Sequence, residues 1–319
     1  MIRPFFFPPP ADSPPSSARL PPRPPPTPSH LQVNATLAAD RSIKLVFLCS
    51  PGNPTGTLIP LATVRAVLDN AAFGGLVVVD EAYIDFAGED QNATSAVSLV
   101  ERYDNVCVSQ TLSKGHGLAA IRCVSPPPPP PPRAGKHASL TRKRGPETDL
   151  RRSLGLPSAS VPPPRGRLGV AYAAPPLIQI LSNTKAPYNI STPTAALAQA
   201  ALAPSALTTF HANVQTLLAN RSWLREALGH VEGTGRILGR PHANFVLVQI
   251  LDRASGRPSN DRAKRAYLRM AEREGVVVRF RGNERGCEGC LRITVGTRQE
   301  CERAIDRLRT VLAEDGGEA

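Results

Sequence analysis

The stretch Thr111-Leu-Ser-Lys-Gly-His-Gly-Leu-Ala-Ala-Ile-Arg122 decides how the fold of this chain is interpreted. Its lysine has small neighbours and is followed by a cation, Arg122, eight residues later. A lysine that forms a Schiff base must be free of its proton, and desolvation or nearby positive charge favours that state. Two further motifs precede the stretch, Ser50-Pro-Gly-Asn-Pro-Thr-Gly56 and Val77-Val-Val-Asp-Glu-Ala-Tyr83. Together the three motifs predict a site centred on Lys114.

The motifs also contain the side chains that an aldehyde cofactor with a phosphate group requires. Such a cofactor, acting as an electron sink, needs a carboxylate beside its ring nitrogen and donors for its phenolate oxygen and its phosphate. The residues of suitable type are Asp80, Tyr83, Asn53, Ser113 and Arg122. Each one taken singly is more often a surface or capping residue, so the interpretation depends on the three motifs occurring together in this order.

The motifs are predicted to follow buried strands. Residues 43–48 and 76–79 are short, nearly continuous apolar runs, which is typical of strands buried on both faces of a parallel sheet. Apolar residues at helical spacing in 58–72 predict the crossover helix that a parallel pair needs. Residues 105–109 predict another strand leading into the lysine loop. Ligands bind at the C-terminal ends of such strands, where all three motifs lie.

The three motifs resemble those of the pyridoxal-phosphate aminotransferases of fold type I, and most closely the histidinol-phosphate aminotransferases. The resemblance extends over residues 31–122 and again from 168 onward. It implies an α/β fold in which an incomplete, mostly parallel large-domain sheet is joined to a small α+β C-terminal domain. It also implies pyridoxal 5'-phosphate as the cofactor, covalently held by Lys114, with Asp80 keeping the ring nitrogen protonated.

The same resemblance assigns roles to the other motif residues. Asn53 and Tyr83 correspond to donors to the ring oxygen. The residues that correspond to the surroundings of the cofactor phosphate are Thr111, Ser113 and Arg122. The forked guanidinium of Arg122 suits bidentate binding of a phosphate. Arg167 is the alternative phosphate-binding arginine, if the second part of the family motif begins at Arg167 and not at Leu168.

The C-terminal part has the pattern of a small α+β domain. The predicted strands are 244–249, 276–278 and 291–295, and the predicted helices are 206–228, with Trp223 on its apolar face, 262–274 and 300–313. Residues 178–181 and 194–202 suggest a further helix, with a loop at 187–193. Arg279 and Arg292 correspond to the pair that receives the anionic group of the substrate in histidinol-phosphate aminotransferases. Two forked donors match a phosphate monoester, although two surface arginines on a strand edge would give the same pattern.

The resemblance implies a ping-pong transamination of L-histidinol phosphate with 2-oxoglutarate, which yields imidazole-acetol phosphate and glutamate in histidine biosynthesis. It also implies a homodimer. Two alternatives stay open. One is another fold type I enzyme, either a different aminotransferase or a decarboxylase of phosphate-ester amino acids. The other is an inactive product that binds partners only through its proline-rich segments.

Two proline-rich segments divide the chain. Residues 1–30 and 123–167 each contain 12 of the 34 prolines, and neither segment can form a packed element. We therefore expect a disordered segment at 1–30, a partial cofactor-binding domain at 31–203 interrupted by 123–167, and a small domain at 204–319.

The net charge of +12 comes mainly from the two proline-rich segments, which contribute +2 and +7 and leave +3 for the rest. This distribution argues against nucleic-acid binding.

The second proline-rich segment separates two halves of a family motif that is continuous elsewhere. We interpret 123–167 as the translation of a retained intron, since Val124-Ser125 is what a splice donor would encode in frame. The alternative is a genuine insertion whose polyproline run binds an SH3 or WW domain. The family regions expected before residue 31 are also missing, which indicates N-terminal truncation.

Targeting and metal signals are weak. The apolar run near the N-terminus is too short for the core of a signal peptide, and the segment is too rich in proline for a transit peptide. No run is apolar enough for a membrane span, so a cytoplasmic protein is expected. The six cysteines are expected to be reduced, with Cys49 and Cys107 on buried strands. Cys287-Glu-Gly-Cys290 has the spacing of zinc ligands but lacks a second pair, so no metal site is predicted. His116 and His211 are interpreted as ordinary polar residues.

Overall fold

The computed structural model describes residues 30–88, 94–117, 168–187 and 189–315. The predictions made for Arg122, Arg167 and the proline-rich segments, apart from His30, lie outside these residues. The helices of the described part are α1 (His30–Ala39), α2 (Leu61–Leu68), α3 (Pro175–Thr184), α4 (Thr192–Ala201), α5 (Pro204–Gly229), α6 (Asn260–Glu272) and α7 (Arg298–Glu314). The strands are β1 (Leu45–Cys49), β2 (Leu76–Asp80), β3 (Val106–Thr111), β4 (Gly169–Ala173), β5 (Thr234–Leu238), β6 (Phe245–Ile250), β7 (Arg279–Phe280) and β8 (Cys290–Thr294).

The first sheet has the order β1-β2-β3-β4. Strands β1, β2 and β3 are parallel, as the apolar runs predict, and β4 pairs antiparallel with β3. Helix α2 is the predicted crossover between β1 and β2, and it buries Val64, Val67 and Leu68 against the sheet. Because the parallel strands run in one direction, the segments that follow them meet at one edge of the sheet.

The prediction that β1 is buried on both faces is wrong. Val46 and Leu48 pack against α1 and α2, whereas Phe47 on the opposite face is 44% exposed and Cys49 is also exposed. Strand β4 likewise leaves Val170 36% exposed and Tyr172 38% exposed. Among the described residues the core of this sheet lies on the helix-covered face, and side chains alternate between the two faces of a strand. Cys107 is buried as predicted.

The second sheet has the order β5-β6-β8-β7 and is antiparallel throughout. Helices α5, α6 and α7 supply the large core that covers it. The predicted strand at 276–278 is wrong, since pairing begins only at Arg279. Gly275 adopts φ +66° and Val276 N–H donates to Met270 O, so this part of the chain closes the end of α6 and does not pair. Strand β5 was not predicted because Gly235 breaks its apolar alternation.

Helix α5 connects the two sheets and confirms the helix predicted at 206–228. Trp223 is partly buried against the second core, and the guanidinium of Arg298 lies 3.8 Å from its ring centroid. Val214 on the same helix packs with Phe86, in the turn that follows β2, and with Phe245 on β6. The region predicted as one interrupted helix at 178–202 forms the separate helices α3 and α4. In the described part of the chain, no helix is both long and apolar enough to cross a lipid bilayer.

Candidate active site

The C-terminal edge of the first sheet brings the sequence motifs together. Asp80 is the last residue of β2 and lies in register between Cys49 on β1 and Ser109 on β3. Its half-buried carboxylate accepts a hydrogen bond from Ala82 N–H, with Oδ1 3.1 Å from the nitrogen. The loop that carries Lys114 begins immediately after Thr111, at the end of β3. The predicted position of the motifs at this edge is therefore confirmed.

The loop after β1 is held by the connection between β5 and β6 as well as by its own strand. Arg240 N–H donates to Thr55 O over 3.0 Å, and His242 N–H donates to Gly56 O over 3.1 Å. Gly56 adopts φ +62°, and a Cβ there would lie 2.7 Å from Arg240 O. Gly239 adopts φ +77°, and its Cβ would lie 1.7 Å from Thr55 O. Both positions therefore require glycine, because the two backbones approach too closely for any side chain.

His242 completes this junction and was not identified from the sequence. Its Nδ1 accepts the backbone N–H of Leu58 over 3.2 Å. Burial lowers the pKa of His242, and the positive charges of Arg221 and Arg240 lower it further. A neutral ring is needed for Nδ1 to accept, so charge and hydrogen bonding both favour the neutral form. No local motif distinguishes this histidine from the ordinary polar residues around it.

Four of the predicted site residues form one continuous set of contacts. The Lys114 ammonium lies 5.2 Å from the centroid of the Tyr83 ring. Tyr83 packs edge-on against Phe245, with ring centroids 5.2 Å apart, and the Arg292 guanidinium lies 4.9 Å from the Phe245 centroid. Arg292 Nη1 then donates to Asn53 Oδ1 over 2.7 Å. The contacts run from the lysine loop, through the turn after β2 and the second sheet, to the loop after β1.

The two predicted substrate arginines face each other across neighbouring strands. Arg279 on β7 and Arg292 on β8 are direct register partners, so their side chains project from the same face of the sheet. Arg279 is exposed, while Arg292 is partly buried. Burial lowers the pKa of Arg292, and the positive charges of Arg281 and Arg279 lower it as well. Two cations at this spacing attract an anion, which would relieve their mutual repulsion.

The lysine loop leaves one polar group ready for a ligand. Thr111 Oγ1 donates to Leu168 O over 3.2 Å and accepts Ser113 N–H over 3.1 Å. Ser113 Oγ is buried, and within the described ranges it has no hydrogen-bond partner. A buried hydroxyl without a partner costs free energy, so this group is suited to an acceptor supplied by a ligand.

The rest of the loop is packed tightly on α5. A Cβ at Gly115 would lie 2.2 Å from Asp85 Oδ2 and 2.8 Å from Phe210 Cε2, so a larger residue there would have to displace one of these side chains. His116 stacks on Phe210 of α5, with ring centroids 4.0 Å apart and planes inclined by 8°. Burial lowers the pKa of His116, an effect opposed by the charge of Asp85. These contacts fix the backbone on the C-terminal side of Lys114.

Glu81, next to Asp80, is a buried carboxylate that sequence reasoning did not single out. Its Oε1 accepts Ala96 N–H over 2.6 Å, and its Oε2 accepts Ser95 Oγ–H over 2.8 Å and the Gln110 amide over 2.9 Å. Desolvation raises the pKa of Glu81, while these three hydrogen bonds oppose the rise. The network joins β2, β3 and the turn at 95–96, and it therefore positions the strand ends that carry Asp80 and Thr111.

Arg221 is a second buried residue that the sequence did not identify. From α5 its Nη1 donates to Phe86 O over 3.0 Å and to Ala243 O over 2.9 Å. Desolvation lowers the pKa of Arg221 to about 10, so the residue stays charged at neutral pH. Phe86 closely follows Tyr83, and Ala243 closely precedes Phe245. Arg221 therefore fixes the two backbone segments that bring those rings into contact.

The fold agrees with that of solved aminotransferases. The chain superposes on the histidinol-phosphate aminotransferase of Clostridium acetobutylicum with a TM-score of 0.65 and 17% identity, covering 89% of this chain and 68% of the other. It also superposes on the histidinol-phosphate aminotransferase of Sinorhizobium meliloti, solved in complex with pyridoxal-5'-phosphate, with a TM-score of 0.64 and 19% identity. That likeness covers 90% of this chain and 61% of the other. The fold is therefore α/β of fold type I, as the resemblance implied.

Sequence comparison defines the family. The model of the aminotransferase class I and II family matches residues 26–124 and 164–308, and the chain belongs to that family. The histidinol-phosphate aminotransferase of Schizosaccharomyces pombe is 39% identical over 280 residues, covering 88% of this chain. The same alignment covers 60% of the relative, so the chain spans about three fifths of the length of that curated protein.

Proposed function

We propose that this chain is the greater part of a pyridoxal-phosphate-dependent aminotransferase that acts on L-histidinol phosphate with 2-oxoglutarate. The observation that carries the proposal is the set of contacts from Lys114 through Tyr83 and Phe245 to Arg292 and Asn53. It joins an exposed lysine, a phenol, an amide and a partly buried guanidinium in one place. The identity to curated histidinol-phosphate aminotransferases supports the substrate assignment.

The residues present fit the proposed cofactor. Lys114 would attach it, Asp80 would face its ring nitrogen, and Asn53 and Tyr83 would donate to its ring oxygen. The unpartnered hydroxyl of Ser113 would donate to its phosphate, with Thr111 shaping the turn. When bound, the cofactor supplies an electron sink for the carbon that loses or gains a proton. In this proposal Lys114 also moves that proton, because its amine is freed when the substrate binds.

Arg279 and Arg292 would bind the anionic end of the substrate. A phosphate monoester carries close to two negative charges, and two guanidinium groups on one face of the sheet can neutralise them. Arg292 Nε is buried and, in the described part of the chain, lacks a hydrogen-bond partner. A phosphate oxygen would provide that partner. The phosphate role of Arg122, which lies outside the described residues, remains part of the proposal.

The family match supports the interpretation of the proline-rich segment. The two matched ranges stop at 124 and resume at 164, which leaves out most of 123–167. We infer that this segment does not belong to the folded enzyme and that the first sheet is completed by sequence absent from this chain. The complete enzyme would be a cytoplasmic homodimer with domains divided near residue 203, and it would act on small molecules and not on nucleic acid.

Substrate class can be tested in a completed enzyme. In this protein residues 123–167 are removed, and the region that precedes the match in the Schizosaccharomyces pombe relative is fused before residue 31. We expect transamination of histidinol phosphate, and Arg292→Ala should lower kcat/KM about 30- to 1000-fold, or about 2–4 kcal/mol. Arg285→Ala, an exposed arginine of the same hairpin, is the control. Preference for an aromatic or acidic amino acid as donor, or decarboxylation of a phosphate-ester amino acid, would refute the substrate assignment.

A further inference from the structure

Cys287 and Cys290 form a buried thiol pair that the proposed reaction does not use. Both side chains are almost fully buried, at 3% and 0% exposure, and they pack with Leu238 and Leu247 in a small separate cluster. The pair lies in the loop that connects β7 to β8. Cys290 is the first residue of β8 and lies two residues before Arg292. Alternation along the strand places Cys290 and Arg292 on the same face of the sheet.

The backbone brings the two cysteines close to each other in a tight turn. Cys290 N–H donates to Cys287 O over 3.0 Å, which defines a tight turn across the two cysteines. In such a turn the two Cα atoms lie within about 7 Å, close to the range that disulfides span. Gly289, at the third position, adopts φ +67°, and a Cβ there would lie 2.7 Å from Ser259 N. The turn is therefore fixed by a residue that cannot be replaced without strain.

Neighbouring groups hold the turn in place. Asn260 Oδ1 accepts Gly289 N–H over 2.7 Å, and Asn260 Nδ2 donates to Gly282 O over 3.2 Å. Cys287 N–H donates to Glu284 O over 3.0 Å, and Arg281 N–H donates to Cys290 O over 2.8 Å. These contacts hold both ends of the loop, so the two thiols stay together without a covalent link.

The two sulfurs are chemically unequal. A hydrogen bond from the Cys290 thiol lowers the pKa of Cys287, while the same bond and burial raise the pKa of Cys290. A lowered pKa increases the thiolate fraction, and the thiolate is the nucleophile in disulfide exchange. Cys287 is also the more exposed of the two thiols, at 3% against 0%, so we assign it as the attacking sulfur and Cys290 as the resolving one.

We propose that Cys287 and Cys290 are a reversible dithiol–disulfide site that restrains the hairpin carrying Arg279 and Arg292. The oxidant is a low-molecular-weight disulfide such as oxidised glutathione. The Cys287 thiolate attacks one sulfur of the oxidant, which forms a mixed disulfide and releases one glutathione thiolate. Cys290 then loses its proton and attacks Cys287 Sγ, which closes the protein disulfide and releases the second glutathione thiolate. Both thiolates take up the protons lost by the cysteines, so two protein thiols and one disulfide become one protein disulfide and two thiols.

The test uses the full chain with Cys49→Ser and Cys123→Ser, which removes the exposed thiol and the one outside the described residues. The protein is equilibrated in glutathione buffers of increasing oxidation, alkylated under denaturing conditions and mapped by mass spectrometry. We expect loss of both alkylatable thiols of the pair and full recovery with dithiothreitol. Cys301→Ser, which removes a buried thiol of α7, is the matched control and should behave the same.

Single substitutions test the order of attack. Cys290→Ser should accumulate glutathione on Cys287, whereas Cys287→Ser should leave Cys290 largely unmodified. Amide hydrogen exchange then tests the structural consequence, since the oxidised chain should exchange the amides of 281–290 more slowly than the reduced chain. The proposal is overturned if the pair stays fully alkylatable in oxidised glutathione, if oxidation stops at glutathione adducts, or if exchange in the hairpin is the same in both states. None of these outcomes depends on the proposed aminotransferase activity.

Discussion

Strands β6 and β1 have similar apolar sequences, Phe-Val-Leu-Val-Gln-Ile and Leu-Val-Phe-Leu-Cys, but they are buried to different extents. All six residues of β6 are buried, and the strand lies between β5 and β8. Val246, Val248 and Ile250 pack under the helices, while Leu247 on the other face packs with Leu238, Cys287 and Cys290. Strand β1 lies at the end of its sheet and exposes Phe47 and Cys49. An apolar sequence therefore indicates that the side chains of a strand can be buried. The neighbouring strands and helices determine how many of them are buried.

The same contrast distinguishes the two sheets. The second sheet and its three helices enclose a continuous core of fully buried side chains. The first sheet carries its core on one face, while β4, α3 and α4 expose large apolar residues such as Tyr172, Ile180 and Leu197. Parallel sheets are ordinarily covered on both faces. We therefore expect the second sheet to be the more stable part of this chain, and the first to be the part that favours self-association.

The largest loss of stability is expected from a substitution that creates a cavity in the core of the second sheet. Leu291 on β8 is fully buried there, so Leu291→Ala should lower the free energy of unfolding by about 2–5 kcal/mol. Val170→Ala on β4 is the matched control, because its side chain is 36% exposed and should cost less than about 1 kcal/mol. Urea unfolding followed by far-ultraviolet circular dichroism measures both. Equal losses for the two variants would contradict the difference between the sheets.

The second largest loss of stability is expected at Glu81, the buried carboxylate next to the proposed site. Glu81→Ala leaves the donors of Ser95, Ala96 and Gln110 without their acceptor, which should cost about 1–3 kcal/mol. Glu101→Ala, an exposed glutamate of the same unit, should change stability by less than about 0.5 kcal/mol. Thermal unfolding of the two variants makes the comparison. A Glu81→Ala chain as stable as the parent would show that the network does not hold the strand ends.

A smaller, pH-dependent effect should arise where the two sheets meet. The pKa of His242 is lowered from 6.5 in the folded chain, so the unfolded chain binds the proton more readily. Stability should therefore be constant above about pH 7 and fall as the pH drops below 6.5. His242→Gln should reduce that fall, measured by unfolding at a series of pH values, whereas replacement of the exposed His230 should not. Identical pH profiles for His242→Gln and the parent would refute this origin.

Much of the first sheet could be predicted because its strands are short apolar runs that end in polar motifs. The second sheet was predicted less completely, since Gly235 hides β5 and the apolar run at 276–278 lies just before the residues that pair. In the proposed site, the residues of the three motifs could be selected from the order and spacing of the motifs. Glu81, Arg221 and His242 were not, because their roles depend on contacts with residues up to 184 positions away. Arg292 was identified, but its contact with Asn53, 239 positions away, appears only in the folded chain.

The central claim, that Lys114 is the covalent attachment point for pyridoxal phosphate, is tested most directly by reductive labelling. The full chain is incubated with pyridoxal phosphate, reduced with borohydride, digested and mapped by mass spectrometry. We expect one predominant label on the peptide that contains Lys114, its loss in Lys114→Ala and its retention in Lys264→Ala, which removes an exposed lysine. Predominant labelling of another lysine, or equal labelling of the parent and Lys114→Ala, would contradict the account.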